Sequence, residues 1–215
     1  MSIIFRFLFL FPRYIVFGMV FVGFSSAVHS SPSTILVVGD SLSAAYGIAI
    51  NQGWVALLGE RLKQQQMLYQ IVNISMSGDT TSQGLAKLPS ALRQYKPTVV
   101  IIALGANDGL RGLPVSLIQQ NLNQLVLLAT QHQAKVLLIG LLLPLNYGPL
   151  YREQFEQVYK TVANRYHLYQ VPFLLKDIAL NPDLMQIDGL HPNATAQPLI
   201  LENVWPFLKK ALSQK

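Results

Sequence analysis

The stretch Thr34-Ile35-Leu36-Val37-Val38-Gly39-Asp40-Ser41-Leu42-Ser43 decides how this chain folds. Its apolar half shows no polar alternation, the pattern of a strand covered on both faces. Gly-Asp-Ser then ends the run. A parallel strand that stops there lifts the Ser41 hydroxyl onto the rim of its sheet. Similar apolar runs recur at 70–73, 98–103, 136–140 and 169–173. Helical periodicity follows each of them, at 54–66, 82–95, 116–132, 151–167 and 195–212. The first helix puts its apolar residues at Trp54, Val55, Leu58 and Leu62. Asp79 is expected to cap the second. This alternation predicts a three-layer α/β/α domain, flavodoxin-like, with about five parallel strands. Ligands of such sheets bind beyond the carboxyl ends of the strands. Ser41, Gly78 and Asn107 follow the first three strands, and Asp188 and His191 follow the last. All are therefore expected on one edge.

The chain has 215 residues and a formal net charge of +6. Residues 1–30 read as a signal peptide: Arg6 and Arg13 flank apolar residues, 14–24 is uncharged, and Ser25-Ser26-Ala27 follows. An arginine inside the apolar stretch argues against an uncleaved anchor. Cleavage after Ala27 and cleavage after Ser30 both fit. An exported protein is expected, with residues 31–215 forming one domain. Without the two leader arginines the chain stays moderately basic, but it has no Lys/Arg block. That composition offers no nucleic-acid footprint and leaves room for transient contact with a membrane surface. Cysteine is absent, so disulfides, a cysteine nucleophile and thiolate metal sites are excluded. No Walker loop, His-Glu-x-x-His or Gly-x-Gly-x-x-Gly occurs, and no metal or cofactor is expected. A monomer is expected.

Four short blocks carry chemistry. A serine hydroxyl needs an adjacent base to act as a nucleophile, and a serine after a strand more often caps a helix. His191 supplies a candidate base, because an unperturbed imidazole titrates near 6.5 and can accept and return a proton at neutral pH. Asp188 precedes it by three residues, a spacing that lets a carboxylate reach the far ring nitrogen and fix its tautomer. His132 and His167 sit among polar residues and read as solvated. Gly78 and Asn107 are candidate donors to an oxyanion, through a backbone N–H and a side-chain amide. Each block alone also fits a turn. Ser75, in Asn73-Ile74-Ser75-Met76-Ser77-Gly78, is a weaker nucleophile candidate because the first glycine of a nucleophile elbow is missing.

Together the blocks resemble the SGNH hydrolase family, the GDSL esterases and lipases. Within it the chain is most similar to the bacterial periplasmic group of multifunctional thioesterase I, protease I and lysophospholipase enzymes. The strings behind this are Gly39-Asp40-Ser41-Leu42-Ser43-Ala44, Ser77-Gly78-Asp79-Thr80-Thr81, Asn107-Asp108-Gly109-Leu110-Arg111-Gly112, Leu143-Pro144-Leu145-Asn146-Tyr147-Gly148 and Asp188-Gly189-Leu190-His191-Pro192-Asn193. The resemblance implies a Ser41–His191–Asp188 triad and an oxyanion hole of Ser41 N–H, Gly78 N–H and the Asn107 side chain. It also implies a mobile loop at 109–114, an acyl groove lined by Leu143 and Pro144, and a periplasmic location. The third block often reads Gly-Gly-Asn-Asp; here it is Gly105-Ala106-Asn107-Asp108, which is tolerable unless position 106 needs a positive φ.

The function expected is hydrolysis of acyl esters and thioesters, of arylesterase, thioesterase or lysophospholipase type. Leu110, Leu113, Leu143 and Pro144 are expected to hold a linear aliphatic chain. Alternatives are a carbohydrate O-acetyl esterase on the same scaffold, a non-catalytic lipid-binding module, and acyl transfer to an acceptor other than water.

Overall fold

The computed structural model describes residues 32–213, so the leader and its cleavage bond lie outside the described residues. Five strands form one parallel sheet: β1 (Ser33–Gly39), β2 (Tyr69–Asn73), β3 (Val99–Ala103), β4 (Lys135–Ile139) and β5 (Tyr169–Val171). Their order is β2-β1-β3-β4-β5. Among the described residues six α-helices accompany them: α1 (Trp54–Gln64), α2 (Thr81–Tyr95), α3 (Ala106–Leu110), α4 (Val115–Gln131), α5 (Pro149–Tyr166) and α6 (Gln197–Ser213). α1 packs with α6, whereas α2, α4 and α5 pack side by side, which gives three layers.

The apolar runs explain this arrangement. Ile35 to Val38 and Val99 to Ile102 are buried on both faces, as a sheet sandwiched by helices requires. β2 lies at the sheet edge and is only partly buried. In α1 the buried residues are Trp54, Val55, Leu58 and Leu62, the stripe read from the sequence. β5 is shorter than the expected 169–173. It stops at Val171, before Pro172, which has no N–H to donate to a ladder.

Two local expectations change. Thr80, not Asp79, caps α2: its hydroxyl accepts the Gln83 N–H, and the Gln83 amide reaches back to Thr80 N–H, a reciprocal capping box. Asp79 instead forms a partly buried ion pair with Lys87, whose ammonium also donates to the Ile74 carbonyl. The short helix α3 was not visible as a periodic segment, because five residues hold too few repeats for a 3.6-residue pattern.

The sheet order places the site. The chain runs from β1 outward to β2, then returns past β1 to β3. That reversal opens a crevice between the carboxyl ends of β1 and β3. Gly39 pairs in register with Ala103, so Asp40-Ser41 and the segment from Leu104 to Asn107 leave the sheet side by side.

Candidate active site

Ser41 sits on a turn clamped from below. The Asp40 carbonyl accepts the N–H groups of Ser43 and Ala44, and Asp40 Oδ1 accepts the Leu42 N–H at 3.0 Å. Asp40 is 1% exposed, and that burial pushes its carboxyl up to about 7 despite the Leu42 hydrogen bond. The Trp54 indole N–H donates to the Leu42 carbonyl at 3.1 Å, and Asn73 Nδ2 donates to the Ser43 carbonyl at 2.8 Å. The nucleophile candidate is thus held from β1, α1 and β2 at once.

His191 reaches it from the other end of the chain. Its Nε2 lies 2.9 Å from Ser41 Oγ, and its Nδ1 lies 2.7 Å from Asp188 Oδ2. The second carboxylate oxygen, Asp188 Oδ1, accepts the N–H groups of Leu190 (2.9 Å) and His191 (3.0 Å). Desolvation pulls the Asp188 carboxyl upward, but these bonds from His191 and Leu190 outweigh it and hold it down at about 2. The Tyr46 ring tilts against the imidazole, with centroids 4.4 Å apart. Gln186 ties the loop down: its N–H donates to the His191 carbonyl, and its amide donates to the carbonyls of Tyr46 and Pro192.

A third cluster surrounds Asn107, which lines the same cavity as Ser41. Asn107 Nδ2 donates to the Asp79 carbonyl at 2.9 Å, which leaves its second amide hydrogen for another acceptor. The Arg111 guanidinium donates to the Gly78 carbonyl at 3.0 Å and so fixes that peptide. The N–H groups of Ser41 and Gly78 have no partner among the described residues. Three donors are therefore free at this edge, and donors of this kind can stabilise a developing alkoxide. Gly78 has a φ of +86° and open space where a Cβ would stand, so the backbone conformation demands the glycine, not crowding. At Gly105 (φ +120°) both reasons apply, because a Cβ would run into the Tyr159 hydroxyl. Ala106 is not among the positive-φ residues, so its methyl is tolerated. Asp108 is fully buried and accepts the Thr81 N–H (2.8 Å) and hydroxyl (2.5 Å), while Asn121 donates to that hydroxyl. This network joins the third block to α2 and α4.

A cavity of about 640 Å³ opens beside the serine. Leu110, Leu143 and Pro144 line it, together with Phe173, Leu175 and Met185. Leu113 does not: it lies off the cavity wall, and its carbonyl accepts the Tyr151 hydroxyl at 2.7 Å. The Tyr147 hydroxyl likewise donates to the Leu110 carbonyl at 2.8 Å, so the 109–114 loop is tethered at three points. Ser75 is no rival to Ser41, since its hydroxyl is buried without a hydrogen-bond partner and has no base beside it. His132 and His167 are exposed and away from the cavity.

Sequence reasoning missed the supports. Gln197, 2% exposed, accepts the Trp54 backbone N–H at 3.0 Å through Oε1 and donates to the Asn193 carbonyl through Nε2. It ties the start of α1 to the segment just after His191. Nothing in a single sequence links residues 143 positions apart. Tyr46 and Gln186 carried no local motif either, and Arg111 was read only as part of the string 107–112.

Comparisons with known proteins point to one family. The model of the GDSL-like lipase/acylhydrolase family matches residues 37–197. The chain is 50% identical over 183 residues to "Esterase TesA" of Pseudomonas aeruginosa, covering 85% of this chain and 91% of that protein. It is 40% identical over 173 residues to "Thioesterase 1/protease 1/lysophospholipase L1" of Escherichia coli K12, covering 80% of this chain and 82% of that protein. A crystal structure of the psychrotrophic esterase EstA from Pseudoalteromonas sp., inhibited by monoethylphosphonate, superposes with a TM-score of 0.80 at 42% identity. It covers 85% of this chain and 100% of that one.

Proposed function

The chain belongs to the GDSL-like lipase/acylhydrolase family and is a serine esterase, and we propose that Ser41 is its nucleophile, His191 its base and Asp188 the orienting carboxylate. The observation that carries this reading is the continuous chain of hydrogen bonds from Asp188 Oδ2 through both ring nitrogens to Ser41 Oγ. His191 Nε2 takes the hydroxyl proton as Oγ attacks the acyl carbon. Asp188, ionised above a pH of about 2, stabilises the imidazolium that forms. The tetrahedral oxyanion sits between the N–H groups of Ser41 and Gly78 and the free amide hydrogen of Asn107. Collapse breaks the bond to the alcohol or thiol, which leaves with the proton from Nε2. Water then attacks the acyl-enzyme by the same route in reverse.

The substrates proposed are esters and thioesters of linear aliphatic acids, including aryl esters and lysophospholipids. The apolar wall of the 640 Å³ cavity supports this choice, because an acetyl group would leave most of it unfilled. The names borne by the relatives point the same way. The leader at residues 1–30 supports export to the periplasm, and the mature enzyme is proposed to act as a monomer that touches membrane surfaces only transiently.

Hydrolysis of p-nitrophenyl esters from acetate to palmitate, by the mature protein and by Ser41→Ala, tests the reading. The expected result is activity that peaks at medium or long chains and is lost in Ser41→Ala without loss of fold. Activity that survives in Ser41→Ala would remove Ser41 from its role. Activity confined to acetate would overturn the aliphatic acyl site.

A further inference from the structure

Apart from Ser41, Asn107 and His191, the cavity wall is apolar except at one place. Arg152 lines it together with Asn146, and no carboxylate does. Arg152 is half-buried in the first turn of α5. Its Nε donates to the Leu143 carbonyl at 3.0 Å, which anchors one edge of the guanidinium. The two terminal nitrogens have no hydrogen-bond partner among the described residues, and the group makes no ion pair there. Glu156, four residues along the helix and the natural partner at that spacing, is paired with Lys160 at 2.7 Å instead. The first turn of α5 holds no acidic residue, and the helix dipole disfavours a cation at that end. The Asn146 amide is exposed in the same wall and likewise makes no hydrogen bond among the described residues.

A cation held in an apolar wall without a counter-ion, and against a helix dipole, is unfavourable for the free protein. The bond to the Leu143 carbonyl uses only Nε and leaves the charge without a counter-ion among the described residues. A planar fork with its outer edge unpaired matches the two oxygens of a carboxylate or phosphate. We propose that Arg152, with Asn146 beside it, forms a subsite for an anionic oxygen group carried by the substrate, either the phosphate of a lysophospholipid headgroup or a carboxylate on the acyl chain. The proposal rests on the esterase reading above and adds a charge preference to it. Arg152 binds and positions substrate and takes no part in bond making.

The test compares two matched pairs of substrates. One pair is 1-octanoyl lysophosphatidylglycerol and 1-octanoylglycerol; the other is the p-nitrophenyl monoester of octanedioic acid and p-nitrophenyl octanoate. The readout is the ratio of kcat/KM, anionic over neutral, in the wild type and in Arg152→Gln, Arg152→Met and Arg152→Lys. Loss of one charge-assisted contact should lower the ratio about tenfold in Arg152→Gln, mainly through KM. Arg152→Lys, which keeps the charge but not the planar fork, should retain only part of it. Arg152→Met keeps the apolar stem and reports the same loss if the glutamine variant fails to fold. The pair that responds identifies the source of the anion. Ratios unchanged in both pairs, or anionic and neutral substrates falling together, would overturn the subsite and leave Arg152 as a brace for the Leu143 carbonyl. Failure of the esterase reading would show separately, as neutral-ester hydrolysis that survives Ser41→Ala.

Discussion

The serine turn and the histidine loop meet at one 2.9 Å hydrogen bond, but they are built in opposite ways. The turn grows out of a strand buried on both faces, and its Asp40 is 1% exposed. The Asp188–His191 loop is largely exposed, and its order comes from hydrogen bonds with its own backbone. The two carboxylates record the difference. Burial pushes Asp40 up to about 7, whereas hydrogen bonds hold Asp188 down at about 2. The core therefore fixes where the proposed nucleophile stands, and a locally braced loop supplies the charge. Only a few contacts bridge the regions, chiefly Gln186 to the Tyr46 carbonyl and Trp54 through Gln197 to Asn193.

The largest effect should come from the charge side. Asp188→Asn keeps the shape of the loop but removes the carboxylate that fixes the tautomer, so kcat should fall by about 100- to 10,000-fold. Steady-state kinetics on p-nitrophenyl octanoate, with circular dichroism to check the fold, measures it. A loss under tenfold would mean that the loop does not need its charge. A smaller effect should follow from cutting the bridge. Gln197→Leu leaves the Trp54 N–H buried and unpaired, which should cost about 1–3 kcal/mol in urea unfolding. An unchanged unfolding midpoint would show that the two regions stand independently.

The smallest effect separates the regions by pH. The folded protein holds the Asp40 pKa above its unfolded value of 3.8, so its ionisation works against folding. Wild-type stability should decline through this group as pH rises from about 4 to about 7. Asp40→Asn removes that penalty, so its melting temperature relative to wild type should climb over the same range and level off above it. A constant offset would place Asp40 in a more polar setting than its burial indicates. Asp188 has the opposite sign. Its contribution is present above pH 3.8 and is lost only as pH falls through about 2.

Much of this was legible in the sequence, and the limits have physical causes. The strands were plain because continuous Val/Ile/Leu runs in a sandwiched sheet carry their burial in every residue. The order of the blocks then put Ser41, Gly78, Asn107 and His191 on one edge. Local capping was harder: Asp79 and Thr80 both suit a helix start, and only the packed Lys87 decides between them. Leu113 looked like Leu110 in the sequence, yet in the structure its carbonyl is bound by Tyr151 and it lies off the cavity wall. Gln197 and Arg152 were invisible as functional residues. Their meaning lies in a buried N–H and in two guanidinium nitrogens without partners among the described residues, which only the folded chain brings into view.

Ser41, and no other serine, is proposed to carry the acyl group. Treatment with a fluorophosphonate probe, followed by peptide mapping of the adduct by mass spectrometry, tests it most directly. A single adduct on Ser41, formed much more slowly in Asp188→Asn, is the expected result. An adduct on Ser75, or none on a folded protein that still hydrolyses esters, would contradict it.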